Sequence, residues 1–182
     1  MLTVRMNDLA ADLLAATPGP PPADLAPGLQ DLAPALRNLV TAGLVVCEGN
    51  GVLTFARHAP AAASAPGNSG TLTGWETDTS SFHLDETVPV TVDLTGDGEP
   101  VISPADQALM LRHGLGFAWQ LARLAAELPE PVDLRCIISA NSTNGTFRLH
   151  RLRDGEPWLS EDLDGYRLEE IIVLDAPARG RD

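Results

Sequence analysis

The fold is decided by residues 132–153, VDLRCIISANSTNGTFRLHRLR. Two runs rich in apolar and β-branched residues, at about 132–140 and 145–153, are separated by Ser142-Thr143-Asn144-Gly145. An Asn-Gly pair between two such runs is the strongest short-range signal of a β-hairpin. The stretch therefore predicts two antiparallel strands joined by a tight turn.

The segments on either side extend this hairpin into an α+β fold. A further strand is predicted at about 166–174, and a long helix at about 104–128, starting at Ser103 or Asp106. Three strand-like segments precede that helix, near 71–78, 80–85 and 87–94. The order β-β-β-α-β-β-β predicts an antiparallel sheet with the long helix packed across it.

The second strand of the hairpin is a basic strip in a chain whose formal net charge is -13. Because alternate residues of a strand share a face, Phe147 and Leu149 mark the side buried against the long helix. Arg148 and His150 then project from the opposite side, beside Arg135 or Ser139 of the paired strand.

Two interpretations of this basic strip stay open. In the first, Glu169 or Glu170 of a neighbouring strand pairs with Arg148 or Arg151 in an internal ladder of charges. In the second, the sheet face is open and binds a carboxylate or an acidic peptide. The residues of that ligand site would be Arg148, His150, Arg135 and Tyr166, with Asn141 and Asn144 at its rim.

The N-terminal third predicts a separate small module. Helices are predicted at about 6–16, where Asn7 or Asp8 can cap the start, and at about 28–42. The run from Leu36 to Val46, followed by Gly49-Asn50-Gly51, resembles the back half of a winged-helix module. That resemblance implies docking on a protein or on DNA. Since the 28–42 helix offers only Arg37 as a basic residue, we expect protein docking.

Composition predicts a domain boundary after this module. Residues 59–70 consist of alanine, proline, glycine, serine and asparagine, which is typical of a linker. We therefore expect a helical or winged-helix-like adapter at 1–58, a linker at 59–70 and an antiparallel α+β domain at 71–182.

Charge restricts the classes of partner. Residues 71–182 hold nine arginines against twenty acidic residues, whereas residues 1–70 hold three against five. An acidic protein repels phosphate backbones and anionic membranes, so we expect a protein partner with a basic surface, no nucleic acid and no membrane. All 12 basic residues are arginine, which indicates a GC-rich coding sequence of the kind typical of actinobacteria.

The cysteine pattern and the N-terminus indicate a cytoplasmic protein. Cys47 and Cys136 stand far apart, outside any metal-type spacing, and are predicted to be buried reduced thiols. The first residues lack a basic lead followed by an apolar core, so no secretory signal is expected. No cofactor is predicted.

One short segment resembles the start of a calcium loop. Asp93, Thr95 and Asp97 could supply oxygens, with Gly98 at the sharp turn. The terminal carboxylate of such a loop would fall at Pro104, so a tight turn between two strands is the favoured interpretation.

The candidates for acid–base chemistry are few. His83 and Asp85 would share a strand face, and His150 is the third candidate if the protein is an enzyme. The sequence contains no nucleophile elbow and no complete catalytic constellation, so catalysis stays open and a non-catalytic protein is favoured.

The sequence also predicts an acidic loop before the last strand. Its candidate partner-binding residues are Trp158, Glu161, Asp162 and Asp164. We expect a non-catalytic acidic interaction protein, of the immunity or accessory type, that binds a partner with a basic surface. The alternatives are a small enzyme or small-molecule binder using the Arg148/His150 sheet face, and a winged-helix transcriptional regulator.

Overall fold

The computed structural model describes residues 1–20, 28–63 and 70–178. The strands are Thr3–Met6 (β1), Leu44–Val46 (β2), Leu53–Phe55 (β3), Phe82–His83 (β4), Val92–Leu94 (β5), Pro100–Ile102 (β6), Leu134–Ala140 (β7), Gly145–Arg151 (β8) and Glu170–Ala176 (β9). The α-helices are Asp8–Ala16 (α1), Pro34–Ala42 (α2), Ala59–Ala62 (α3), Leu72–Ser80 (α4) and Pro104–Glu127 (α5). Short 3-10 turns lie at Leu29–Asp31, Ala56–His58 and Leu163–Gly165.

The main sheet has five antiparallel strands in the order β1-β9-β7-β8-β4. The predicted hairpin is confirmed: β7 and β8 pair from Leu134↔Arg151 to Ala140↔Gly145. The predicted strand at 166–174 begins later, as β9, and pairs with β7. The α+β class is therefore confirmed, with β7 at the centre of the sheet.

The long helix α5 packs across one face of this sheet, as predicted. Ser103 caps its start, since the Ser103 Oγ accepts a hydrogen bond from the Asp106 backbone N–H. Gly114 allows the close approach, because a Cβ there would lie 2.6 Å from the Cγ2 of Ile138. Phe147 and Leu149 are fully buried on this side, which confirms their predicted orientation.

The predicted strand at 71–78 is wrong: the segment is the helix α4. Thr71 caps its N-terminus by accepting a hydrogen bond from the Gly74 N–H at 3.0 Å. Two threonines of the segment donate to helix carbonyls, Thr77 to Thr73 and Thr79 to Trp75. Local capping and these hydrogen bonds override β propensity here.

The predicted strand at 87–94 is shorter than expected and lies outside the main sheet. Among the described strands, Val92–Leu94 pairs only with Pro100–Ile102, and the two form a hairpin of their own. The predicted turn between them is present, with Thr95 N–H donating to the Glu99 carbonyl.

The N-terminal residues contribute to the main sheet and its core. Asn7 caps α1, as predicted, but Thr3–Met6 forms the edge strand β1 beside β9, which the sequence did not indicate. The helix predicted at about 28–42 is present as α2 but begins at Pro34; Gly43 (φ 87°) ends it, and the hairpin of β2 and β3 follows.

One hydrophobic core draws on both sides of the predicted linker. Leu36 of α2, Phe55 of β3 and Phe117 of α5 are fully buried in the same cluster. Phe55 and Phe117 stack with ring centroids 6.0 Å apart. The linker prediction covers α3, whose Ala62 is buried, and residues 64–69, which lie outside the described part of the chain.

Both thiols are buried and free, as predicted. Burial raises the pKa of Cys47 and of Cys136. Within residues 1–20, 28–63 and 70–178, no helix is long and apolar enough to cross a membrane.

Candidate functional site

Residues 154–169, which lie in the connection between β8 and β9, contain the acidic loop predicted from the sequence. We call them the acidic segment, and it is anchored at several points. Leu163 is buried against Ile171 and Val173, on the face of the sheet opposite α5. Tyr166 packs in the same cluster, and its hydroxyl accepts a hydrogen bond from the Ser160 N–H at 3.1 Å. These contacts give the segment a defined position on the sheet.

A second anchor ties the start of the segment to helix α4. Glu156 Oε2 accepts a hydrogen bond from the Thr73 N–H, in the first turn of that helix, at 2.9 Å. This hydrogen bond lowers the pKa of the Glu156 carboxyl, and the charge of Arg153 lowers it further. The Glu156 carboxylate therefore holds the start of the acidic segment against helix α4.

Asn7 is the third anchor, and sequence reasoning assigned it only a capping role. Its Oδ1 accepts hydrogen bonds from Ala10 N–H (3.1 Å) and Ile171 N–H (2.9 Å). Its Nδ2 donates to the carbonyls of Tyr166 (3.3 Å) and Glu169 (2.8 Å). One buried side chain thus joins α1, β9 and the end of the acidic segment.

The predicted partner-binding residues lie at the surface of this anchored segment. Glu161 has 84% of its side chain exposed and forms an ion pair with Arg5 at 3.3 Å. Asp162 accepts from the Asp164 N–H at 3.2 Å, and Asp164 accepts from the Asp8 N–H at 2.8 Å, so each keeps a second carboxylate oxygen for other contacts. Trp158 is exposed.

Leu168 belongs to the same surface, although the sequence did not single it out. It is 88% exposed and directly precedes Glu169, whose carbonyl is held by Asn7. Leu9 of α1 is exposed two residues beyond Asn7. The surface therefore combines carboxylates with isolated large apolar side chains.

Arg148 projects from the sheet face opposite α5, as predicted, but it has neither of the predicted glutamate partners. β7 lies between β8 and β9, so Glu169 and Glu170 do not adjoin Arg148. Its Nη1 donates to Thr146 Oγ1 at 2.9 Å, and among the described residues it makes no ion pair.

The other arginine of the proposed ladder is also differently engaged. Arg151 Nη1 donates to the Gly51 carbonyl at 3.3 Å, and its backbone N–H donates to Glu76 Oε2 at 2.7 Å. The expected ladder is therefore wrong for both arginines, because the order of the strands places β9 one strand too far away.

His150 lies on the same face as Arg148 but is only 2% exposed. Its Nδ1 is 2.8 Å from the Arg151 carbonyl, and its Nε2 has no partner within the described chain. Burial lowers the pKa of His150, and the charges of Arg135 and Arg153 lower it further. The Arg151 hydrogen bond and Glu76 act in the opposite direction.

The remaining residues of the predicted ligand site have structural partners. Arg135, the register neighbour of His150, binds Asp175 through two hydrogen bonds of 2.6 and 2.8 Å. The Asn141 Oδ1 accepts from Thr143 and Asn144, and its backbone pairs with Asn144, so both asparagines close the β7–β8 turn. Tyr166 belongs to the acidic segment described above. The structure places Arg135, Arg148 and His150 on one face without gathering all six residues.

The three predicted acid–base residues are not brought together. His83 Nδ1 is 3.8 Å from Asp85 Oδ1, and that oxygen already accepts from the Gly145 N–H at 2.9 Å. His83 pairs with Thr146, four residues along β8 from His150, a separation of about 13 Å at strand spacing.

The weak calcium prediction falls on the turn of the β5–β6 hairpin. Thr95 Oγ1, one of the three proposed oxygens, accepts from the Glu99 N–H at 3.1 Å. In the described ranges, no group of three or more histidine, cysteine, aspartate or glutamate side chains is placed to hold a metal ion.

Glu76 is the buried charge that sequence reasoning missed. Its side chain is fully buried and forms two hydrogen bonds with Arg153, at 2.6 and 2.7 Å. Its oxygens also accept from the backbone N–H groups of Leu53 and Arg151, both at 2.7 Å. The segment around it was predicted to be a strand, whereas as part of helix α4 Glu76 contacts both β3 and β8.

The comparison with protein families identifies a family that covers most of the chain. The model of the Uncharacterized protein PM0498 family matches residues 27–180. That range contains all the described elements from the 3-10 turn at Leu29–Asp31 to β9. No curated protein and no solved structure matches the chain.

Proposed function

We propose, from the geometry of this chain, which belongs to the Uncharacterized protein PM0498 family, that the protein is a non-catalytic interaction protein of the immunity or accessory type. Its acidic segment binds a partner protein with a basic surface. The observation that carries the proposal is the anchoring of residues 154–169 by Asn7, Leu163 and Glu156, with Glu161, Asp162 and Asp164 at the surface.

Anchoring favours binding because the segment is already ordered. A loop that is ordered before association loses less conformational entropy on binding, so more of the contact energy appears as affinity. The carboxylates would steer a basic partner and set specificity, and the weak exposed pair of Glu161 with Arg5 can be exchanged for it.

The exposed apolar residues of the acidic segment would contribute to binding of the partner. Tryptophan is enriched among the few residues that dominate binding energy at interfaces, and Trp158 lies in this segment. Leu168 is almost fully exposed, at 88%, on the same segment. A partner with arginines or lysines around an apolar depression would match this combination of side chains.

The test removes charge while keeping the hydrogen bonds of the segment. The triple variant Glu161→Gln, Asp162→Asn and Asp164→Asn retains oxygen acceptors for the Asp164 and Asp8 N–H groups. With the full chain immobilised in lysate of the native host, we expect a protein that the wild type captures at low salt. The triple variant should lose at least about tenfold of that capture.

The matched control neutralises three exposed acidic residues elsewhere: Glu48→Gln, Glu127→Gln and Glu130→Gln. It has the same net charge as the triple variant and should retain capture within about twofold. Equal losses of capture in both variants would show that net charge accounts for the binding. Capture that does not change with salt concentration would show that apolar adsorption accounts for it. Either result would contradict the proposal.

The sheet face around Arg148 supports a second candidate, binding of a small carboxylate. The supporting observations are the absence of an ion pair at Arg148 within the described chain and the unpartnered Nε2 of the buried His150. We expect citrate or succinate to raise the melting temperature of the wild type, and Arg148→Gln to abolish the increase. Arg123→Gln, at an exposed position of α5, is the control; an equal increase in all three proteins would count against this candidate.

The winged-helix interpretation of residues 28–58 stays a prediction. The single arginine of α2, Arg37, donates from its Nη1 to the Gln30 carbonyl at 2.9 Å. A regulator that binds DNA would need further basic residues on this helix.

A further inference from the structure

The β5–β6 hairpin protrudes from the body of the protein. Every residue from Thr91 to Glu99 is exposed, including Val92 and Leu94, the latter to 70%. Val101 on β6 is exposed as well, so the hairpin carries apolar side chains on both of its faces. Val92 and Leu94 share one face of β5, so they form a pair of exposed apolar side chains along this strand.

The hairpin is attached to the body through β6, which leaves β5 outermost. The Ile102 N–H donates to the Ser142 carbonyl, in the β7–β8 turn, at 2.7 Å. β5 pairs with β6 alone among the described strands. Within residues 1–20, 28–63 and 70–178, β5 is therefore a sheet edge with no strand beside it.

The register shows which backbone groups point outward from β5. Ile102 sends its N–H to Ser142 and Pro100 has none, so neither Val92↔Ile102 nor Leu94↔Pro100 is a hydrogen-bonded pair. Because the two kinds of pair alternate in an antiparallel ladder, Asp93↔Val101 is the hydrogen-bonded pair. The N–H and C=O groups of Val92 and Leu94 thus point away from β6.

We propose that this edge binds an extended segment of a partner protein, whose side chains alternate between apolar and basic, as an added β-strand. The backbone of Val92 and Leu94 would form the new ladder, and apolar partner residues would cover their side chains. A lysine or arginine of the partner would lie opposite Asp93. This surface is separate from the acidic segment and does not depend on the function proposed for it.

Charge selects this occupant over a second copy of the chain. Residues 91–101 contain Asp93, Asp97 and Glu99 and no basic residue. Two copies of β5 paired antiparallel through Val92 and Leu94 would place Asp93 directly opposite the Asp93 of the other copy. Like charges at directly opposite positions destabilise a strand pair, whereas opposite charges stabilise it.

The test is a charge exchange across the proposed strand pair. A fluorescent six-residue peptide of alternating valine and lysine should bind the full chain, measured by anisotropy. Asp93→Lys should weaken that binding about tenfold and should create binding of the corresponding valine–glutamate peptide. A gain of binding cannot arise from loss of folding.

Two further variants complete the experiment. Leu94→Pro removes an outward N–H without removing a bond to β6, so it should abolish binding of the valine–lysine peptide. Asp97→Lys carries the same charge change in the turn, beyond the strand, and should weaken binding less than about threefold. Far-UV circular dichroism checks that each variant is folded.

Three results would overturn the proposal. The first is no binding of the valine–lysine peptide to the wild type, and the second is equal weakening by Asp93→Lys and Asp97→Lys. The third is a wild-type dimer in sedimentation that Leu94→Pro dissociates, since this would make a second copy the occupant.

Discussion

Asn7 shows how one side chain determines the position of a surface. Both hydrogen-bonding ends of its amide are used, two bonds accepted and two donated, and they reach three separate parts of the chain. Its capping role is predictable from the sequence, because a cap needs only the residues that follow it. Its bonds to Tyr166 and Glu169 depend on tertiary structure and could not be predicted.

The buried His150 predicts that the stability of the protein depends on pH. Because burial lowers its pKa, the folded protein binds a proton at His150 only at a lower pH than the unfolded chain, which does so below a pH of about 6.5. The unfolded state then carries more protons, so the free energy of unfolding falls as the pH drops through this window. His113, whose pKa burial also lowers, adds to the same effect.

The measurement is urea unfolding of the wild type, His150→Phe and His113→Phe at pH 7.5 and 5.5. Each variant should lose less stability than the wild type between the two pH values, because one proton-binding group of the unfolded chain is gone. A wild-type loss that neither substitution reduces would contradict the assignment.

At the scale of the element, α4 protects the edge of the main sheet with side chains. In the described part of the chain, β4 pairs with Thr146 and Phe147 of β8 and with no other strand. Beyond that point, Ser80 Oγ exchanges two hydrogen bonds with the backbone of Leu149, at 2.8 and 2.9 Å. Glu76 then accepts from Arg151. The helix thereby occupies an edge that would otherwise be open to another chain.

Glu76→Ala tests this arrangement. It would leave the buried N–H groups of Leu53 and Arg151 without acceptors and Arg153 without its counter-charge. Breaking a buried ion pair by removing one partner costs about 3–5 kcal/mol. We expect a loss of this size in chemical denaturation.

Glu127→Ala, at an exposed position in the last turn of α5, should change the free energy of unfolding by less than about 0.5 kcal/mol. If Glu76→Ala were equally mild, the Glu76 contacts would not hold α4 to β3 and β8.

The elements that could be predicted are those with local signals. Asn144-Gly145 marked the turn between β7 and β8, and Ser103 marked the start of α5. Helix α4 could not be predicted in this way, because its threonines favour strands and its buried Glu76 needs partners from distant segments. The sequence left the partner of Arg148 open because composition does not fix the order of strands, and in the structure β7 separates β8 from β9.

In the whole molecule, the main sheet and the hydrophobic core bring β1 and α1 into contact with β9. β1 pairs with β9, and Ala10 and Leu14 of α1 lie in the same core as Leu174. This arrangement places α1 beside the acidic segment, where Asp8 N–H binds Asp164. The proposed binding surface therefore has contributions from both ends of the chain.

The most direct test of the central claim is hydrogen exchange of the full chain with and without the partner captured from the native host. We predict slower amide exchange on binding in residues 154–169 and in the first turn of α1, with residues 120–130 unchanged. Protection confined to residues 145–151 or 91–101, with the acidic segment unaffected, would contradict the claim that the acidic segment is the binding surface.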